Sequence, residues 1–222
     1  MNTLTVSFFR HGETKSNIEG RCAGRTDILI TENGRRKLKE LKSTYTYPVV
    51  QKLFSSPAIR CRETSDILFP GMEPEIIYGF WEMDYGILDN KPVDILASQV
   101  GKERWNKRDY SAFFPGGESF LEESFRALAA MTRVIQRCIE DNISTAAVVA
   151  HGDILNSLVR ACLDTDMDLR NFLICPNGMG FEVQVDKEKW FDKQRLQFVR
   201  LLPEGAPRTK PEDTPFFNNI RT

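Results

Sequence analysis

The sequence predicts an α/β fold: a three-layer αβα sandwich with a mostly parallel central sheet and a small cap insertion. Three observations predict it. Short apolar, β-branched runs alternate with stretches of helical spacing, the order that builds a sheet with helices on both faces. Two of those runs end abruptly in His-Gly, and ligand sites of open α/β sheets lie beyond the carboxyl ends of strands. The length, 222 residues, suits a single domain that buries roughly 70% of its unfolded surface.

The elements follow in order. Leu4 to Phe9 (LTVSFF) is apolar and β-branched or aromatic, a buried strand that runs into a loop at Arg10-His11-Gly12. Thr14 to Glu19 starts a short helix closed by Gly20. Thr31 is placed as the N-cap of a basic helix from about Glu32 to Lys42. Lys52 to Ser55 is a second strand. Pro57 opens the next helix as a first-turn residue, and that helix runs to Leu68, where Pro70-Gly71 breaks the pattern. A third strand is expected near Glu75 to Tyr78. Residues 83–117 are less regular and read as a cap over the site.

Ser119 to Ile139 is the longest helical pattern, with Phe120, Phe125, Leu128, Met131, Val134, Ile135 and Ile139 near helical spacing. Ala146 to Ala150 is the fourth strand and again ends at His-Gly. Asp153 to Leu163 is helical. Gly180 to Val185 and Gln194 to Leu202 form a closing strand pair. Residues 1–202 are thus one domain. Residues 203–222, rich in Pro, Thr and charge, are read as an extended tail pinned by Phe216 and Phe217.

Composition excludes several classes of function. Thirty Lys and Arg balance 31 Asp and Glu, without the basic excess of a nucleic-acid or polybasic membrane binder. The N-terminal apolar run is short, broken by Ser7 and not preceded by basic residues, so no signal peptide is expected. No apolar run of about 18 residues marks a transmembrane helix. Five scattered Cys without a CxxC pair read as free thiols of a reducing, cytoplasmic compartment. Cys138 and Cys162 sit on apolar helical faces as core. Cys22 and Cys61 lie near the inferred site with nothing in the sequence to activate them. With only His11 and His151 available, a His-rich zinc site is excluded. No metal and no cofactor are expected.

Both histidines follow an apolar strand and precede Gly, so they are placed in one crevice. Alone, a His at a strand end is more often a satisfied polar residue. The matched context and the neighbouring Arg10 favour a site for a tetrahedral anion. Arg offers phosphate a fork of donors, and a neutral imidazole nitrogen can attack phosphorus.

Phe9-Arg10-His11-Gly12-Glu13-Thr14 resembles the RHGE signature of the histidine phosphatase superfamily, the phosphoglycerate-mutase-like fold. Asn17, Gly24, Asp27 and Thr31 to Gly34 resemble the continuation of that motif. Ser55-Ser56-Pro57-Ala58-Ile59-Arg60-Cys61-Arg62-Glu63-Thr64 is similar to its SSPLxRAxxT block. Glu82-Met83-Asp84-Tyr85-Gly86 looks like its acidic block, Pro115-Gly116-Gly117-Glu118-Ser119 matches PGGES, and Val148 to Gly152 matches the second His motif. The resemblance spans residues 4 to 185 in the family's order.

The resemblance implies that His11 is the nucleophile and becomes phosphohistidine. Arg10, Arg60 and His151 would meet the phosphoryl oxygens, and Asn17 would add a hydrogen bond. Gly24, Tyr85 and Gly152 complete the expected phosphate- and substrate-binding set. Arg60 is preferred to Arg62 for its offset from Ser-Pro. Glu82 would be the general acid and then the base, held protonated by an apolar wall of Phe80, Trp81 and Tyr85, with Asp84 as the alternative. Glu13 orients the loop or a basic neighbour. Asp153, a departure from many relatives, could repel an acidic substrate or hold a cationic one. Capping of the next helix is preferred.

The expected activity is hydrolysis of a small phosphomonoester with inorganic phosphate as product, as in alpha-ribazole phosphatase-like and broad-specificity members. The cap is short. Its cations Lys102, Arg104, Lys107 and Arg108 are interleaved with Glu103, Trp105 and Asp109, whereas a phosphoglycerate mutase usually carries a longer basic insertion there. Trp105, Tyr110, Phe113 and Phe114 suit a substrate with an apolar portion. A 2,3-bisphosphoglycerate-dependent mutase is the alternative, and a non-catalytic phosphate- or protein-binding module on the same fold is the rival of another class. Neither a nucleic acid nor a membrane is expected as partner, and a homodimer is compatible with the reading.

Overall fold

The computed structural model describes residues 2–166 and 175–208. Along the chain run β1 (Thr3–Arg10), α1 (Lys15–Ile18), β2 (Arg21–Cys22), α2 (Glu32–Thr44), β3 (Lys52–Ser55), α3 (Ile59–Leu68) and β4 (Glu75–Ile76). Then come β5 (Lys91–Pro92), α4 (Val93–Val100), α5 (Lys102–Lys107), α6 (Phe120–Glu140), β6 (Thr145–Ala150), α7 (Gly152–Cys162), β7 (Leu163–Asp164), β8 (Gly180–Asp186) and β9 (Leu196–Leu202). Seven strands form one sheet in the order β4-β3-β6-β1-β8-β9-β7, and β2 pairs with β5 in a separate ribbon. The β1–β6, β3–β6, β3–β4 and β7–β9 pairs are parallel. Among the described strands of this sheet, only β8 runs against its neighbours. The mostly parallel sheet of the α/β sandwich is as the sequence predicts.

Strands buried on both faces read as continuous apolar runs, and β1 shows why. Leu4, Val6 and Phe8 pack with α6 and α7 on one face, while Phe9 packs with α2 and α3 on the other. Each fully buried Leu or Phe of this kind contributes roughly 1.5–3 kcal/mol. A third cluster, built from Val93, Leu96, Trp105, Phe114 and Phe120, gives the cap a core of its own.

Local signals set most helix ends. Thr14 caps α1 and Thr31 caps α2. Ser119 caps α6 in a capping box with Glu122. One start differs from expectation: α3 begins at Ile59, with Ala58 rather than a side-chain cap before it. The Ile59 amide donates instead to Asp27 Oδ1 at 2.8 Å, so the cap comes from a distant loop. The third strand is also shorter than expected, because a 3₁₀ turn takes over at Tyr78–Phe80. On α6 the apolar stripe departs from the expected one. Phe125 and Ile139 are exposed, and Glu123 lies fully buried on the inward face.

The start of the expected tail is tied to the sheet, where Arg208 donates to the carbonyls of Gly180 and Leu202. Phe216 and Phe217 lie outside the described residues. No described helix is long and apolar enough to cross a membrane.

Candidate active site

Register brings the chemistry together. Arg10 pairs with Ala150, and Ser55 with Val149, across the parallel strands β1, β6 and β3. The next residues, His11, His151 and Ser56, therefore leave the sheet side by side. The two imidazoles meet edge to face with centroids 5.3 Å apart. Beyond these strand ends lies a cavity of about 940 Å³, lined among others by Arg10, His11, Asn17, Arg60, Glu82, Tyr85, Gly152 and Asp153.

His11 is oriented by its own loop. Its Nδ1 lies 2.8 Å from the carbonyl of Gly12. A carbonyl only accepts, so Nδ1 carries the proton and Nε2 keeps its lone pair. Burial, then the guanidinium groups of Arg60 and Arg10, hold the ring well below the usual imidazole range. His11 is thus neutral at pH 7. Its amide donates to Ala150, its carbonyl accepts from Asn177 Nδ2 at 2.8 Å, and Gly12 donates to Thr64 Oγ1 at 2.8 Å.

His151 is engaged at both nitrogens. Arg60 Nε donates to Nδ1 at 3.2 Å, so Nε2 bears the proton and donates to Ser56 Oγ at 2.7 Å. The ring has no exposed surface and stands behind His11, outside the cavity lining. Cys61 Sγ lies 3.5 Å from Nε2, and burial pushes that thiol up to about 12. Cys22 lines the cavity as a thiol held well above its ordinary value by burial. Cys138 and Cys162 are core residues, as expected.

The cations differ in how free they are. Arg10 Nη1 donates to Cys175 O at 2.9 Å, while its buried Nε has no partner among the described residues. Arg60 is fully buried, Arg62 exposed. Besides His151, Arg60 holds the carbonyls of Thr26, Ala23 and Gly24 at 3.0–3.1 Å. Much of Arg60 therefore fixes the 23–26 loop. Asn17 Oδ1 accepts from Thr14 and Asn177, which leaves its Nδ2 for the cavity. Gly152 opens α7 at the cavity wall, a helix end suited to an anion. Glu13 binds Lys37 Nζ at 2.8 Å together with Asn33 and Thr31, tying the loop to α2.

Gly24 is placed differently from its expected phosphate-binding position. It lies outside the cavity lining and its amide donates to Asp89 Oδ1 at 2.6 Å. A Cβ there would stand 2.0 Å from the Met83 carbonyl, so the glycine permits close backbone packing. Asp84 is also elsewhere. It accepts from the Gly86 amide, pairs with Arg25 and does not line the cavity.

Glu82 is buried at the cavity wall, with Oε1 accepting from the Met83 amide at 3.0 Å. Burial, followed by the charges of Asp153 and Glu123, pushes its carboxyl up to about 8, against the opposing effect of Arg60. Of the expected apolar wall only Tyr85 lines the cavity. Phe80 belongs to the main core, and Trp81 packs under Arg25.

Asp153 is not a helix cap. His151 occupies that position, and Asp153 accepts from Arg108 Nη1 at 2.8 Å and from the Tyr85 hydroxyl. Tyr85 thus spends its hydroxyl on Asp153. Arg108 also reaches Glu123 Oε2 at 3.1 Å. One carboxylate oxygen from each of Glu82, Glu123 and Asp153 lies within 4.8 Å of the other two. Nothing local in the sequence marks this acidic group, because its members come from three separate elements, and the guanidinium of Arg108 bridges two of them.

The cap's other predicted contributions also change. Trp105 and Phe114 fill the cap core, Tyr110 and Phe113 face outward, and none of the four lines the cavity. Lys107 pairs with Glu103, and Arg104 with Asp109. The apolar part of the cavity is instead Ile18, Leu38, Leu41, Val93 and Met179. Sequence reasoning misses the roles of Ser56, Glu123 and Asn177 and the inward turn of Arg108. The available signals are a Glu at a core-phase position of α6 and the Asn-Gly turn before β8.

Comparisons with known proteins bear on the family and the fold. Residues 6–194 match the model of the histidine phosphatase superfamily, branch 1. A "Probable phosphoglycerate mutase GpmB" of Salmonella typhi is 29% identical over 167 residues, 72% of this chain and 75% of that one. An "Uncharacterized phosphatase PhoE" of Bacillus subtilis is 25% identical over 187 residues, 83% and 90% of the two chains. The crystal structure of TTHB049 from Thermus thermophilus superposes with a TM-score of 0.64 at 27% identity, covering 89% of this chain and 99% of that one. An alpha-ribazole-5'-P phosphatase-like structure from Escherichia coli shares the fold at 19% identity, with a TM-score of 0.68 and coverage of 93% and 99%. With two His-Gly strand ends, a buried arginine and a buried carboxyl around one cavity, and a family match over residues 6–194, the chain belongs to branch 1 of the histidine phosphatase superfamily.

Proposed function

We propose that the protein hydrolyses a phosphomonoester through a covalent phosphohistidine on His11. One observation carries the reading: a neutral imidazole with a free Nε2 and a carboxyl that holds its proton near pH 7 line the same cavity. The Nε2 lone pair attacks phosphorus, the ester P–O bond breaks, and Glu82 gives its proton to the departing alkoxide. Arg10, the Asn17 amide and the start of α7 face the phosphoryl oxygens. Arg60 and His151 hold the floor beneath them. Water then attacks the phosphohistidine and gives a proton to the Glu82 carboxylate. The N–P pair returns to Nε2, and inorganic phosphate leaves.

The residue attached to the phosphate meets Ile18, Leu38, Leu41, Val93 and Met179, so an ester with an apolar portion fits. A mutase reading draws on the name of the Salmonella relative. The pairing of Arg104, Lys107 and Arg108 with carboxylates weighs against it, because it leaves few cap cations for a small polyanionic acid. The test is a panel of phosphomonoesters beside a coupled mutase assay, each with and without EDTA, with acid-quench trapping of phosphoenzyme. Chelator-insensitive release of phosphate with a trapped phosphoenzyme, inhibited competitively by vanadate, is expected. Mutase turnover without net hydrolysis, or loss of activity on chelation, would refute the proposal.

A further inference from the structure

Glu123 has no part in the mechanism above, yet it is a fully buried carboxylate beside the group that moves the proton. It reaches the site from α6, on the inward stripe of the helix. Its Oε2 accepts from Ser157 Oγ at 2.8 Å and Arg108 Nη2 at 3.1 Å. Its Oε1 is buried without a partner among the described residues. Asp153, the third member of the group, has both oxygens occupied, by Arg108 and Tyr85. Both oxygens accept, one from a cation and one from a hydroxyl, the bonding pattern of a carboxylate. One guanidinium therefore serves two carboxylates and leaves negative charge facing Glu82.

We infer that Glu123 is a positioning residue that acts through Glu82: with Asp153 and Arg108 it sets a net negative surrounding that keeps the Glu82 carboxyl protonated for the acid step. This rests on the phosphatase reading only for its consequence in catalysis. The charge geometry stands apart from it.

The other groups facing Glu82 do not supply this effect. Arg60 on α3 opposes it. Arg126 on α6 donates to the Glu82 backbone carbonyl at 3.3 Å, and its charge is taken by Glu118. Arg25 pairs with Glu118 and Asp84. Tyr85 and the Cys22 thiol on β2 are neutral, held well above their ordinary values by burial. Arg10 and neutral His11, at the end of β1, add no negative charge. Asp153 and Glu123 are the charges that push most toward the protonated form, and of the two only Asp153 has both oxygens matched by donors. Burial raises Glu123 itself to about 7, with Arg108 opposing, so its charge beside Glu82 is present above neutral pH.

The test is a carboxyl ¹³C NMR titration of the full-length protein, read beside the basic limb of kcat/KM for an alkyl phosphate. Glu123→Gln keeps the shape and removes the charge. The Glu82 midpoint should fall by about one pH unit, the usual effect of one adjacent like charge. The limb should fall with it, because activity needs the protonated form. Glu123→Asp restores the charge and should restore most of the midpoint. A merely structural role would lower stability without moving either reading.

Where Glu123→Gln does not fold, Glu82→Gln gives the reciprocal measurement. Two interacting carboxyls titrate in steps that belong to the pair, so the Glu123 curve, broadened by Glu82 in the wild-type protein, should sharpen to a single simple titration in Glu82→Gln. A folded Glu123→Gln protein with an unmoved Glu82 midpoint, or a Glu123 titration curve whose shape is the same with and without Glu82→Gln, overturns the inference. Absence of wild-type turnover overturns the phosphatase reading instead and leaves the titrations informative.

Discussion

The ends of β1 and β6 are near copies in sequence, an apolar strand followed by His-Gly, and the structure makes them opposites. His11 looks into the cavity with one nitrogen bonded to its own loop and the other free. His151 sits one strand away with both nitrogens bonded and no exposed surface. The difference comes from the neighbours. β1 is followed by a carbonyl that fixes the tautomer. β6 lies beside β3, which delivers Ser56 at the same level, and under α3, which delivers Arg60. A local motif thus specifies where a histidine stands, and the facing strand and helix decide whether it can attack.

The comparison can be broken first at His11. His11→Ala should abolish phosphoenzyme and lower turnover by about four orders of magnitude or more, as loss of a nucleophile does. Acid-quench trapping checks it, and a phosphoenzyme surviving there would move the nucleophile to another residue. Glu82→Gln should lower alkyl phosphate turnover by about two to four orders. An aryl ester, with its better leaving group, should still give a burst. Equal losses for both esters in the burst would argue that Glu82 is not the acid.

His151→Ala should cost about two orders, in the range for a lost phosphoryl-stabilising group, yet leave a phosphoenzyme that can be trapped. If His151 could attack instead, His11→Ala would retain the burst. Ser56→Ala removes a single hydrogen bond to the His151 ring and should lower kcat about fivefold, consistent with roughly 1 kcal/mol for such a bond. A loss as large as that of His151→Ala would mean that the tautomer, rather than the ring, is what matters.

The smallest effect concerns stability. Glu82 holds its proton up to about pH 8 in the fold, against an ordinary value of 4.5. Between those values the folded chain binds more protons than the unfolded one, so this group makes stability fall as pH rises through the window. Glu82→Gln should flatten part of that slope and raise Tm at pH 8 by a few degrees, by about ΔΔG/ΔS. An unchanged Tm difference between pH 5 and pH 8 would show that the carboxyl titrates normally.

What is legible in the sequence is short-range. The strand before His11, the Thr14, Thr31 and Ser119 caps and the family order of motifs all rest on neighbours within a few positions. They place Arg10, His11, Asn17, Arg60, Glu82, His151 and Gly152 around one site. What stays hidden depends on distant pairing. Asp27 caps α3 from a loop, Asp153 turns to Arg108 instead of capping α7, and the cap aromatics pack on one another. Glu123 breaks the rule that charge marks the solvent face of a helix, while Phe125 fits the apolar spacing and faces solvent. Gly24 resembles a phosphate contact because a motif records position and not which atom approaches.

The cap's separate core has a consequence for how the site opens. β1 is hydrogen-bonded along both edges by β6 and β8, so its amides are expected to exchange with solvent only in the rarest openings of the fold. Val93 to Lys107 pack in a cluster apart from the two cores that flank the sheet and are expected to open at lower free energy than the sheet. Such an opening would draw Arg108 away from Asp153 and Glu123 while His11 stays in register. Amide exchange should then show slow protection at the nucleophile and faster, correlated exchange across the cap. The same sub-global event that admits a substrate would reset the charge around the acid, linking entry to proton readiness in one motion.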